Sequence, residues 1–451
     1  MIRTRWLADL AIMAALLVLS LVVFIRAADT VRFHGDESEW INSGKYFRYL
    51  FLDGTTSGEV WRPAFITRDQ PPMGRYVIGL VVWSTGRDPA AVNRSYAWNK
   101  DLAANEQEGR VPGPDLLIPV RHAMAALGAL SVVGLYVAGR VLEGPLTGSV
   151  AALLVTFSPL VQQNFSQART ESLLALFTVI ALALVLITAR RFAATGVIPR
   201  AGWLIGPLLG LALATKLTAG LAILGTTVYG IVSCLNRSLA DATEGGRKAL
   251  WTVAVGIFAA GVFIASNPFL WPDPVSRTTS MLDQQKEIMV EQGTQFGGAV
   301  KLQPAERLWL VIQRTFARNA THAFDAGLPS GSPPVLQSTF LDLPTPGGIS
   351  LELILALLGF GALTWRGIQD WSNGSRHGAA NALLWWIVAY FGGISGNLSL
   401  DWPRYYVPTA FLGSLLVGLA VATLTRWIFA LINPNWGYES RLAEHEMGAA
   451  R

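Results

Sequence analysis

The stretch WLADLAIMAALLVLSLVVFI, Trp6 to Ile25, decides the class of this chain. Its length matches the roughly 17–25 apolar residues that a helix needs to cross a bilayer. It exceeds the ~7–15-residue apolar core of a signal peptide, and Arg26 stands where small residues precede a cleavage site. A retained first membrane helix is therefore expected. The composition agrees: of 451 residues, 52% are hydrophobic and only 14% charged, with a mean hydropathy of +0.40. Soluble domains carry roughly 25% charged residues, so the lipid bilayer must solvate much of this surface. The 16 tryptophans suit the headgroup interface. No basic, aromatic-rich soluble module is present, so nucleic acid is not an expected partner. Cys234 is the single cysteine, which excludes an internal disulfide and a cysteine-based metal site.

Working outward from that first run, apolar stretches recur at Leu7–Ile25, Leu117–Val137, Leu146–Val161, Ser172–Ala189, Trp203–Ala214, Leu217–Leu235, Ala249–Ala265, Leu351–Leu363, Ala382–Gly396 and Val407–Ile428. The expected fold is an all-α polytopic membrane protein with about ten transmembrane helices. Residues 203–235 read either as a hairpin of two short helices or as one long helix. Charge placement favours the hairpin. With the N-terminus in the cytoplasm, the short inside segments hold Arg3, Arg5, Arg140, Arg190, Arg191, Arg200, Arg237, Arg247, Lys248, Arg366, Arg376 and Arg426. The short outside segments hold only Arg169, Lys216 and Arg404. This is the positive-inside pattern, and one long helix at 203–235 would invert everything downstream. It places both termini in the cytoplasm; the plasma (inner) membrane is the expected location.

Residues 1–430 read as a single transmembrane domain, followed by a cytoplasmic tail over 431–451. Two long segments, 27–115 and 267–350, fall on the extracytoplasmic side, and long loops commonly carry function. In the first, Glu37–Leu52 places Trp40, Ile41, Phe47, Leu50 and Phe51 near one helical face. Pro71–Trp83 is apolar but too short to span, with Asp69 as a possible cap. Both are expected as membrane-surface helices. Residues 87–114 are polar and read as a surface insertion.

Five short stretches could carry chemistry. His34-Gly35-Asp36-Glu37 sets two carboxylates at the outer surface, where one can take a proton from a hydroxyl or bind a cation; the same pair also suits a plain helix start. Arg68-Asp69-Gln70-Pro71-Pro72-Met73-Gly74-Arg75 is either a site or a Pro-rich turn with snorkelling arginines. Arg169 and Glu171 frame a helix N-terminus, which favours anions, or form a local ion pair. Lys216 is a cation at membrane depth, or reaches lipid phosphate from a hairpin tip. Asn397-Leu398-Ser399-Leu400-Asp401-Trp402-Pro403-Arg404-Tyr405-Tyr406 can clamp a phosphate through Arg404 and the tyrosines, or serve as an aromatic belt with one anchor. Together, Asp36, Arg75, Arg169, Lys216 and Arg404 fall on one side of the membrane, an arrangement suited to a lipid phosphate reacting with a hydroxyl.

In that order along the chain, these stretches resemble the C-type (GT-C) glycosyltransferases, specifically the protein O-mannosyltransferase-like branch. Asp36-Glu37 looks like that family's signature after the first helix. DQPPMGRY is similar to its His-Pro-Pro-Leu-Gly-Lys stretch, QARTESLLALF to its Ser-Arg-x-x-Arg-x-Asp region, and LALATKLTAGL to its lysine-containing helix pair. NPFLWPDP and DWPRYYVP resemble its later outer-loop motifs. Gln70 stands for the His, Arg75 for the Lys and Glu171 for the Asp. The resemblance implies GT-C-type architecture and a polyprenyl-phosphate-linked sugar, such as a mannose donor, used on the extracytoplasmic face with inversion. The acceptor would be a hydroxyl on protein, glycan or lipid. It implies Asp36 as general base, with Glu37 beside it orienting the acceptor or the first surface helix. Asp69, Arg75, Arg169, Glu171, Lys216, Asp401, Arg404 and Tyr405 would contact substrate. No divalent metal is expected, since no ligand cluster stands out. The competing functional readings are a lipid or solute transporter or flippase, and a non-catalytic scaffold. Transporters tend to show repeated halves, and none is visible.

Overall fold

The computed structural model describes residues 2–235, 242–296, 302–316, 350–373, 378–398 and 401–433. Arg237, Arg376, Ser399 and Leu400, most of the expected tail and part of the second long loop lie outside these. Every regular element among the described residues is helical. Among the described residues, eight helices are long and apolar enough to cross a membrane: Trp6–Thr30, Pro114–Leu142, Glu171–Thr195, Leu217–Leu235, Glu244–Ala265, Leu351–Gln369, Gly378–Asn397 and Pro403–Ile432.

Two expected spans differ in form. Leu146–Val161 is not one straight helix but Pro145–Thr156 followed by Pro159–Phe165, bent by 67°. Pro159 supplies no N–H and pushes Ser158 to an extended backbone (φ −71°, ψ 118°). Trp203–Ala214 lies within a shorter apolar helix, Arg200–Thr215.

Hydrogen bonds at the two ends of the bundle show how the helices alternate. At one end Arg140 Nε meets Asp9 at 3.0 Å, Arg190 Nη1 donates to the Val141 carbonyl at 2.9 Å, and Arg247 Nη1 to that of Gly196 at 3.4 Å. Lys248 Nζ donates to the Ser233 carbonyl at 3.4 Å, and Glu143 pairs with both Arg366 and Arg426. At the other end lie Asp36, Arg169, Glu171, Lys216 and Arg404. The Arg200–Thr215 helix therefore runs toward this second end, Lys216 breaks it with extended backbone (φ −158°, ψ 136°), and Gly220–Leu235 returns. Residues 203–235 form the hairpin. Glu171–Thr195 is the most buried of the spans.

The two long segments meet at the second end. The Gly35–Ser43 helix continues through Lys45–Phe47 and a wide turn over Arg48–Leu52. It crosses Met73–Ser84 at two glycines: a Cβ on Gly79 would lie 2.2 Å from the Gly44 carbonyl oxygen, so only bare backbone permits the contact. Asp69 does not cap Met73–Ser84, whose preceding residue is Pro72 with no side-chain cap. Its carboxylate instead accepts from Gln285 Nε2 at 3.0 Å, from the Pro274–Phe296 helix of the second long segment. That tertiary bond outweighs the local capping option.

Candidate active site

The site starts with a capping box. His34 is extended (φ −123°, ψ 139°) and its Nδ1 accepts the Asp36 N–H at 3.1 Å, while the His34 N–H donates to Glu37 Oε1 at 3.0 Å. A ring nitrogen that accepts a backbone N–H carries no proton there, and burial depresses the His34 pKa further. His34 is thus a neutral cap.

Glu37 is fully buried and fully used. Arg121 grips it bidentately, with Nε and Nη2 each at 2.7 Å, and the Ala168 N–H donates to Oε2 at 2.8 Å. Arg121 Nη1 also donates to the carbonyls of Ala28 and Val31 at 3.2 and 3.0 Å, at the otherwise unsatisfied C-terminal end of the first helix. One ion pair therefore joins the end of helix Ile2–Thr30, the start of Gly35–Ser43, helix Pro114–Leu142 and the Gln167–Arg169 turn. Its effect is to fix Asp36 relative to Arg169. Arg121 is a site-building residue that the sequence reading missed. Its signal was a charge inside an apolar run.

Asp36 is half-buried and faces cations. Arg404 Nη1 donates to its Oδ2, and Arg169 Nη1 stands 3.7 Å from the same oxygen. Burial acts to raise the Asp36 pKa, but Arg404 and Arg169 are among charges that pull harder the other way, holding the carboxyl well below its usual range. Arg404 is itself seated on aromatic faces, 4.1 Å from the Trp402 ring centroid and 5.8 Å from that of Tyr405. Arg169 is held by Asn164 Oδ1 at 3.2 Å and by Gln167 Oε1. Lys216, at the hairpin tip, reaches Glu171 Oε1 at 3.0 Å. The structure so brings Asp36, Arg169, Glu171, Lys216, Arg404 and Tyr405 to one place.

Asp69 and Arg75 border it. Arg75 is buried between Trp40 and Tyr46, 6.0 and 5.4 Å from their centroids. Burial raises the Asp69 pKa, with Arg75 and Gln285 opposing. Among the described residues, Gln70 Oε1, Arg75 Nε, Arg169 Nε and Glu171 Oε2 are buried without a hydrogen-bond partner. Orphan polar atoms of this kind suit a polar guest. Asp401 stands apart: it pairs with Arg314, Nε to Oδ2 at 2.9 Å, and accepts from the Tyr406 hydroxyl at 2.8 Å. It anchors helix Pro304–Phe316 against the Pro403–Tyr406 turn. Among the described residues, no three His, Cys, Asp or Glu side chains gather as a metal site would require.

From Arg404 and Glu171 an apolar groove leads down between helices Glu171–Thr195, Gly378–Asn397 and Val407–Ile432. Leu174, Val179, Trp386, Tyr390, Phe411 and Leu412 line it. Arg404 at one end and apolar side chains along the rest give the groove the polarity of an amphiphile with an anionic head.

Residues 53–265 match the family model described as dolichyl-phosphate-mannose-protein mannosyltransferase. That segment contains Asp69, Arg75, Arg169, Glu171 and Lys216; Asp36 and Arg404 flank it. The fold is similar to that of the oligosaccharyltransferase AglB of Archaeoglobus fulgidus in complex with an inhibitory peptide and a dolichol-phosphate. That match has a TM-score of 0.57 and 14% identity, and covers 96% of this chain and 52% of that one. It is also similar to ArnT from Cupriavidus metallidurans bound to undecaprenyl phosphate, with a TM-score of 0.50, 17% identity, and 90% and 59% covered. The chain thus spans about half the length of the oligosaccharyltransferase it matches. No curated protein gives a significant match.

Proposed function

The protein has the GT-C-type membrane fold and matches the protein mannosyltransferase family over residues 53–265; from that premise we propose that it transfers one sugar, a hexose such as mannose, from a polyprenyl-phosphate donor to a hydroxyl acceptor on the extracytoplasmic face, with inversion. The observation that carries this is the position of Asp36. It lies between Arg404 and Arg169, and Arg404 also stands at the end of the apolar groove. The lipid tail follows the groove and the phosphate meets the cations. Asp36 takes the acceptor proton, the acceptor oxygen attacks the anomeric carbon, and the bond from that carbon to the phosphate oxygen breaks.

Charge balance supports the assignment. Arg169, Lys216 and Arg404 against Asp36 and Glu171 leave one net positive charge, which matches the single negative charge of a glycosyl phosphodiester. When Asp36 accepts the proton, the net charge becomes two positive. At that moment the leaving phosphate monoester approaches a charge of about −2. The site is thus most complementary to the charge that develops during reaction. Phosphate also competes with Asp36 for Arg404 and Arg169, so donor binding frees the carboxylate and raises its basicity.

The test is donor turnover by purified wild type and Asp36→Asn across a panel of polyprenyl-phosphate sugars with membrane extract as acceptor source. Loss of about 10²–10⁴-fold is expected for a general base, with undecaprenyl-phosphate binding retained. Wild-type turnover by the variant would refute the assignment.

A further inference from the structure

The polar insertion over residues 87–113 is pinned to the helix that carries Asp36. Asn42 Nδ2 donates to the Asn93 carbonyl at 2.6 Å, and Asn93 Nδ2 to Ser38 Oγ at 2.7 Å. Glu39 accepts the Tyr96 N–H at 2.6 Å and the Ser95 hydroxyl at 3.1 Å. Inside the insertion, Asn105 is fully buried and holds both polar groups of the Ala97 backbone, at 2.8 and 3.0 Å. These bonds deliver two aromatic rings to a fixed place. Tyr96 and Trp98 pack edge to face at 5.0 Å, and Trp98 meets the His34 ring at 6.1 Å. A Cβ on Gly35 would lie 2.8 Å from Trp98 and 2.9 Å from Tyr96, so Gly35 is what lets the rings sit against the residue next to Asp36. Yet Trp98 is 59% exposed.

A tryptophan held by a rigid polar network but left open contributes little to a core. We propose that Tyr96 and Trp98 form the acceptor subsite, and that the acceptor is a saccharide; this rests on the reading of Asp36 as the base. The chemistry selects the ligand. The acceptor must present a hydroxyl to Asp36 while resting on an exposed indole face. A pyranose ring has both, an apolar C–H face for the indole and hydroxyls at its edge. The polar groups of Glu39 and Ser95 beside Tyr96 suit the remaining hydroxyls. Trp98 is then a specificity-determining residue for the acceptor and takes no part in donor binding.

The experiment uses the full-length protein in lipid nanodiscs and saturation-transfer NMR with neutral trisaccharide probes and, separately, a serine- and threonine-containing peptide. Undecaprenyl-phosphate binding is measured on the same samples. Expected is trisaccharide binding that weakens roughly tenfold in Trp98→Ala and largely returns in Trp98→Phe, with undecaprenyl-phosphate binding unchanged. Trisaccharide binding that ignores Trp98→Ala, no trisaccharide binding at all, or dependence on Trp98 for the peptide alone would each overturn the proposal. A failure of the underlying reading is distinct: undecaprenyl phosphate would then fail to bind, or bind equally to Arg404→Ala.

Discussion

Asp36 is ionised, paired and half-buried, which sets how its activity responds to pH. A carboxylate held below its usual pKa of roughly 3.9 stays charged at every pH above that value. The stability its pairs contribute is present above the unfolded pKa and is lost as pH falls through the lower folded value. In the free enzyme, kcat/KM should therefore stay level from pH 8 down to about 5. On the proposed reading, donor phosphate draws Arg404 and Arg169 away, so the acid limb of kcat, which reports the loaded enzyme, should lie at higher pH than that of kcat/KM. Coincident limbs, or a limb of kcat/KM near pH 6–7, would contradict this ordering. Much of this site was legible in the sequence, because Arg169, Lys216 and Arg404 are costly charges in apolar surroundings. The partnership of Glu37 with Arg121 was not, since 84 residues separate them and only folding joins them. The adjacent carboxylates look alike in sequence; burial and partners separate them, Glu37 saturated by four bonds and Asp36 set against Arg404 and Arg169.

At the level of elements, the Glu37–Arg121 pair is the joint among the first helix, the first surface helix and helix Pro114–Leu142. Removing one partner of such a pair leaves the other charge buried and alone. Arg121→Ala should cost about 3–5 kcal/mol, read as a clear drop in the thermal denaturation midpoint in detergent, together with lost activity. A variant with an unchanged midpoint would show that the joint carries no stability. The helices themselves were readable from length and hydropathy, and the hairpin tip at Lys216 from charge parity. Two features were not. The break at Pro159 merged into one apolar window, because hydropathy is blind to backbone geometry. Asp69 looked like a local cap but bonds Gln285, 216 positions away, which no local pattern encodes.

Across the whole molecule, the two long segments pack on each other at one end of the bundle, and the apolar groove descends from there among three helices. A donor whose tail occupies that groove arrives from the bilayer rather than from water. Its encounter with the enzyme is then two-dimensional, and the governing concentration is its mole fraction among the lipids. In proteoliposomes with fixed amounts of enzyme and donor per millilitre, adding inert phospholipid tenfold should lower a sub-saturated rate by about the same factor; a rate indifferent to this surface dilution would mean that the groove is filled from solution. Cells could on this account adjust flux through the enzyme by changing how crowded its membrane is with carrier lipid, with no change in the protein.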